Sequence, residues 1–138
     1  MSLTDFENSP NTVLLVTGGC GFIGSNFINF MLETCDKIKV INIDAMYYCA
    51  SIKNIKEKWR SSDRYLFVKG NLCSGDLIKH IFNVHNPTHV VHFAAQSHVQ
   101  NSFSDSIQFT HDNILGTHTL LDVTRNYGKI KKFIHVST

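Results

Sequence analysis

No stretch of this sequence approaches the run of about 18 apolar residues that a membrane span requires. The first ten residues, MSLTDFENSP, lack the basic start and apolar core of a secretory signal, so a cytosolic protein is expected. There is no large excess of either charge: 13 Lys and Arg against 11 Asp and Glu give a net charge of +2. That excludes the strongly basic surfaces typical of nucleic-acid or membrane binding. Lys129, Lys131 and Lys132 cluster, but three charges near a turn read as a solvated face. The four cysteines, Cys20, Cys35, Cys49 and Cys73, have no C-x-x-C spacing and are too few for a disulfide framework, which implies reduced thiols. The 8 histidines are scattered, and no metal site is expected from them. Repeats, low-complexity tracts and linkers are missing as well.

What is present is a soluble-domain composition, with 43% hydrophobic and 17% charged residues, and a length of 138 that suits one domain. Residues 1–11 read as a loosely ordered polar lead-in, and 12–138 as the domain. Thr12–Thr17 (TVLLVT) is a short apolar run suited to a strand buried on both faces. Phe22–Glu33 has helical spacing, Lys39–Ile43 reads as a second strand, and Ser51–Trp59 as a short helix or turn. Tyr65–Lys69 is a third strand, Asp76–Val84 a helix and His89–Phe93 a fourth strand. Ser106–Tyr127 carries one long helical pattern, and Lys132–Val136 is a fifth strand. Strands alternating with helices predict right-handed crossovers and a doubly wound α/β fold of about five parallel strands.

The first strand–helix junction reads Thr17-Gly18-Gly19-Cys20-Gly21-Phe22-Ile23-Gly24. In this G-x-x-G-x-x-G spacing, Gly18 permits a tight turn and Gly21 lets backbone approach a pyrophosphate. Gly24 lets the helix pack on the sheet. The phosphates then meet free N–H groups at the helix N-terminus. A glycine pattern alone is weak, but here it follows a buried strand and opens an amphipathic helix. Asp44 ends the next strand, twenty residues after Gly24, where a carboxylate accepts from ribose hydroxyls and repels a 2′-phosphate. The pattern predicts NAD rather than NADP.

VTGGCGFIG (Val16–Gly24), D-x-x-x-YCAS (Asp44–Ser51 with Tyr48), FVKGNL (Phe67–Leu72), HFAAQSHVQNSF (His92–Phe103), NILGTHTLL (Asn113–Leu121) and KFIHVST (Lys132–Thr138) together resemble the extended short-chain dehydrogenases/reductases. Within them the chain is most similar to the nucleotide-sugar 4,6-dehydratases acting on dTDP-glucose or UDP-glucose, and the likeness runs from Thr12 to Thr138. It implies a Rossmann-like fold and assigns roles. Phe22 and Ile23 offer N–H to the pyrophosphate, Ala45 sits beside the ribose acid, and Asn71 and Leu72 lie against the adenine. Phe93, Ala94, Ala95 and Gln96 line the nicotinamide side, and Asp112 is a further cofactor contact. Ser97 and Thr138 face the sugar or its pyrophosphate. Thr138 polarises the C4 oxygen during hydride transfer, or else is a strand-end cap. His98 is either a substrate contact or a packed histidine beside the pocket. The resemblance also places the long helix in a dimer bundle, implying self-association.

Three positions depart from the family pattern: Ala45 replaces a lysine, Asn71 an aspartate that accepts from the adenine amino group, and Gln100 an aspartate. The Asn71 amide oxygen can still accept, and the combined loss of charge implies weakened or lost NAD binding. The catalytic Asp-Glu pair and the helical Tyr-x-x-x-Lys pair of the family lie beyond the strand that ends here at Thr138. Tyr65–Lys69 and Tyr127–Lys131 match the spacing by chance. The first lies on a strand, where four residues span about 13 Å, and the second straddles Gly128. The expectation is a Rossmann half truncated before the later strands and the substrate domain, and inactive for want of an acid–base pair. Two other readings stand beside it: one piece of a dehydratase completed by a separate C-terminal part, or a non-enzymatic interaction module derived from that enzyme.

Overall fold

Alternate residues of β1, β2 and β3 serve two different cores, one on each face of the sheet. In the computed structural model, which describes residues 9–137, β1 (Val13–Thr17) sends Leu14 and Val16 to one face and Leu15 to the other. On the first face they meet Ile28, Met31 and Leu32 of helix α1 (Phe22–Thr34). On the second, Leu15, Ile41 and Ile43 pack on Ile78, Ile81 and Phe82 of α3 (Gly75–His85) and on Leu120 and Val123 of α6 (Gly116–Tyr127). Strand β2 spans Lys39–Asp44, β3 Tyr65–Lys69, β4 His89–His92 and β5 Lys132–His135. All pairings are parallel, and the order is β3-β2-β1-β4-β5. The chain therefore reverses its direction of travel across the sheet between β1 and β4. In open α/β sheets that point leaves a crevice for ligands at the carboxyl ends of the strands.

Helix α1 begins at Gly21, which has no side chain to cap it. Its other end is closed from outside: the Arg64 guanidinium donates to the carbonyls of Leu32 (2.9 Å) and Cys35 (2.8 Å). Arg64 also lies over the Trp59 ring, 4.9 Å from its centroid, so the connection into β3 clamps the helix terminus.

Three segments differ from the sequence-based expectation. Ser51–Trp59 is not one element but a 3₁₀ turn, Ile52–Asn54, followed by a single turn, α2 (Glu57–Arg60). A helix unmarked in the sequence, α4 (Val99–Ser104), precedes the long pattern. The pattern itself is interrupted: α5 (Ser106–Phe109) passes through a π turn, Thr110–Leu115, into α6. The backbone stays helical through the wide turn, which is why the sequence reads as continuous. Residues 1–8 of the expected lead-in and Thr138 lie outside the described residues. No helix among the described residues is long and apolar enough to cross a membrane.

Leu120 is fully buried where α6 meets α3 and the sheet. Replacing it with alanine is expected to cost about 2–5 kcal/mol of stability through lost burial and a residual cavity. In urea denaturation the midpoint should fall with an unchanged slope.

Candidate functional site

The carboxyl ends of the strands open into a cavity of about 560 Å³. Its floor is the glycine loop. Gly18 has φ +70°, and a Cβ there would lie 2.7 Å from the backbone of Ala94, so the loops after β1 and β4 touch without side chains between them. Gly24 also lacks room for a Cβ, though its obstacles are the Gly18 carbonyl and the Gly19 Cα (2.9 Å). The loop backbone is thus what comes nearest to it. Gly21 is different: a Cβ there would meet only the Gly18 carbonyl, at 3.4 Å. The protein's own packing does not demand glycine at position 21, whereas a close ligand would. The N–H groups of the first turn of α1 have no intrahelical acceptors and stand beside this bare backbone.

Asp44, nearly buried, accepts from the Cys20 N–H through Oδ2 (2.9 Å) and from the Met46 N–H through Oδ1 (2.8 Å). These bonds tie the end of β2 to the glycine loop and hold Met46 at φ +61°. Each oxygen keeps a lone pair for a ligand hydroxyl. Beneath the loop, buried Asn42 donates to Cys20 Sγ (3.4 Å) and to Tyr65 Oη (2.9 Å). Burial raises the Cys20 thiol to about 11, with the Asp44 charge adding to it, and burial lifts the Tyr65 phenol to about 12. Both stay neutral. Gly19, which the fingerprint leaves unassigned, has its Cβ position filled by the Asn42 side chain.

The far wall joins four loops. Asn71 accepts from Cys73 N–H (2.8 Å) and donates to Tyr47 Oη (3.1 Å). The Tyr47 hydroxyl donates to Asp112 Oδ1 (3.2 Å), and Gln96 donates to Asp112 Oδ2 (3.0 Å). Next to Asp112 in the π turn, Asn113 exchanges two hydrogen bonds with the Gln96 backbone, at 2.7 and 2.9 Å. Burial, with the Asp112 charge, raises the Tyr47 phenol above its usual range.

The cavity gathers Gly18, Gly21, Phe22, Ile23, Gly24, Asp44, Ala45, Asn71, Leu72, Phe93, Ala94, Ala95, Gln96, Ser97, His98 and Asp112. Thr138 lies outside the described residues, although Val136 and Ser137 reach the cavity. Sequence reasoning missed Tyr47, which the D-x-x-x-YCAS segment carries inside it, and gave no site role to Tyr48. Tyr48 meets His98 edge-on across the mouth, with ring centroids 6.3 Å apart. Neither chance Tyr-x-x-x-Lys match is helical: Tyr65–Lys69 is β3, and Tyr127 ends α6 before Gly128 at φ +70°.

Residues 15–138 match the family described as GDP-mannose 4,6 dehydratase. The chain belongs to this family. A dTDP-D-glucose 4,6-dehydratase of Dictyostelium discoideum is 43% identical over 125 residues, 91% of this chain and 28% of that enzyme. A trifunctional UDP-glucose 4,6-dehydratase/UDP-4-keto-6-deoxy-D-glucose 3,5-epimerase/UDP-4-keto-L-rhamnose-reductase of Arabidopsis thaliana is 42% identical over 136 residues, 99% of this chain and 20% of that protein. Among solved structures, a dTDP-glucose 4,6-dehydratase of Streptomyces venezuelae with NAD bound has TM-score 0.82 and 33% identity, covering 90% of this chain and 38% of that one. A UDP-glucose 4-epimerase of Thermotoga maritima with UDP-glucose has TM-score 0.80 and 32% identity, covering 92% and 38%. The chain thus spans well under half the length of each of these relatives.

In this dehydratase-family chain His92, the last residue of β4, ties β1 to α6. Its Nδ1 lies 2.6 Å from Thr17 Oγ1 and its Nε2 2.8 Å from Thr117 Oγ1, while Thr17 Oγ1 also accepts the Ala94 N–H (3.3 Å). Burial, with a smaller contribution from His135, lowers the His92 pKa to about 4. The unfolded chain, with His92 near its ordinary 6.5, therefore takes up a proton that the folded chain refuses. Stability should be complete above about pH 6.5 and fall toward pH 4, by up to about 3 kcal/mol. Urea unfolding between pH 7 and pH 4.5 should show this slope, and His92→Gln should flatten it.

Proposed function

We propose that these residues form the NAD-binding part of a nucleotide-sugar 4,6-dehydratase whose sugar substrate is dTDP- or UDP-glucose. The observation that carries this reading is the convergence of three features on one crevice. The Gly18–Gly24 loop, the open helix terminus behind it and the Asp44 carboxylate all line the same cavity at the β1/β4 reversal. Sequence and structural likeness to dehydratases, one of them solved with NAD, supports it further.

Bound NAD supplies a nicotinamide that accepts a hydride from the sugar and returns it. The chain's own residues would do the holding. Free N–H groups of Phe22 and Ile23 would meet the pyrophosphate, and the spare lone pairs of Asp44 would accept from the adenine ribose. The Asp44 charge would repel a 2′-phosphate. The Phe93–Gln96 segment, fixed by the Thr17–Ala94 and Asn113–Gln96 hydrogen bonds, would wall the nicotinamide side. Ser97 and His98 would face the sugar nucleotide, with Thr138 assigned by resemblance to the C4 oxygen.

A polypeptide of these 138 residues would bind the dinucleotide without turning the sugar over, because no helical Tyr-x-x-x-Lys pair lies within it to move the hydroxyl proton. Further residues, in the same chain or a separate one, would be needed for turnover. Val99, Phe103, Ile107 and Ile114 are exposed along α4, α5 and the π turn, which supports self-association through this face.

Millimolar NAD should raise the melting temperature and titrate calorimetrically, with at least tenfold weaker binding of NADP. No stabilisation by NAD would overturn the cofactor reading and leave the interaction-module reading in its place. Incubation of the purified chain with dTDP-glucose or UDP-glucose and NAD should yield no 4-keto-6-deoxy product.

A further inference from the structure

The base end of the cavity carries a donor where an adenine site needs an acceptor. If Asp44 holds the ribose at the end of β2, the base lies one strand further from the glycine loop, over the end of β3. Gly70, Asn71 and Leu72 follow that strand and line the cavity there. The Asn71 amide is not free to choose its orientation. The Cys73 N–H can only donate, so the partner it finds 2.8 Å away must be Oδ1. Nδ2 is thereby turned outward to Tyr47 Oη, 3.1 Å away. Tyr47 fixes the same direction from the other side. Its hydroxyl donates to the Asp112 carboxylate, which can only accept, so it receives the Asn71 N–H on a lone pair. Reversing the amide would set N–H against N–H at Cys73 and break the bond to Tyr47. Of the two Asn71 N–H groups, one goes to Tyr47 and the other has no acceptor among the described residues, at a position that lines the cavity.

An adenine presents a 6-amino group, which is a donor, while a 6-oxopurine presents an acceptor at the same position. We propose that Asn71 is a specificity-determining residue that disfavours the 6-amino group of the dinucleotide's purine and favours a 6-oxo group. The inference rests on the NAD-site reading above and deepens it.

Calorimetric titration of the 138-residue chain with NAD and with nicotinamide hypoxanthine dinucleotide compares ligands that differ only in the purine. The hypoxanthine dinucleotide should bind more tightly, by about 3- to 10-fold, the range expected for one neutral hydrogen bond made or missed. Asn71→Asp keeps an acceptor for the Cys73 N–H and replaces the outward N–H by a second acceptor, so it should reverse the order. Equal or tighter NAD binding by the unsubstituted chain would overturn this inference and leave the cofactor site standing. An unreversed preference in Asn71→Asp with an unchanged melting temperature would overturn it as well. If Asn71→Asp does not fold, the comparison of the two dinucleotides on the unsubstituted chain decides alone. Binding of neither dinucleotide at millimolar concentration would overturn the cofactor reading and this inference with it.

Discussion

The backbone of Gly18 and the backbone of Ala94 are so close that a single methyl group would not fit between them. That approach sets the width of the crevice between β1 and β4, and the rest of the site is hung from it. The glycine loop can reach α1 without a side chain in the way because Gly18 turns back at positive φ. The segment after β4 can leave the sheet in register because the Phe93 N–H reaches the Thr17 carbonyl (3.1 Å) and the Ala94 N–H reaches its hydroxyl. His92, buried between the hydroxyls of Thr17 and Thr117, ties β1 to α6 and stays neutral.

The strands and the helices covering them were legible because a parallel sheet buried on both faces demands unbroken apolar runs, and TVLLVT, KVINI and HVVHF supply them. The glycine loop and Asp44 were legible for a related reason: their spacing is imposed by the length of one βα unit. What the residues could not reveal is set by geometry between elements. Gly19 looks like a spare glycine until Asn42 is seen to occupy its Cβ position. Gly24 owes its missing side chain to the loop backbone of Gly18 and Gly19 as well, which spacing alone does not show. Asn71 carries an amide whose two ends differ chemically, and only the turn at Cys73 and the phenol of Tyr47 decide which end faces outward. Tyr47 itself falls on an unspecified position of the D-x-x-x-YCAS segment, and its partners come from positions 24 and 65 residues away in the chain.

Polar groups packed against the glycine loop are held without charge. Asn42, Cys20 and Tyr65 form a small buried set in which the thiol and the phenol are pushed well above neutrality. A charged group in this position would perturb the field of the helix terminus beside it. Asp44, the acid nearest this set, spends half its acceptor capacity on backbone N–H groups, so its position is fixed before any ligand arrives.

The π turn at Thr110–Leu115 has a structural meaning that reaches past the cavity it lines. A wide turn takes up about one residue more than an α turn, and each residue advances a helix by roughly 100° about its axis. That angular advance sets the phase with which α6 leaves the turn. Asp112 is brought to the cavity and Asn113 to the Gln96 backbone by the turn itself, and Leu120 and Val123 are aimed at the sheet by the phase that follows it. Core and site therefore share one rotational setting. A deletion of one residue here would not shorten the helix so much as turn it, taking the buried leucine off the sheet and the carboxylate off the cavity in the same motion.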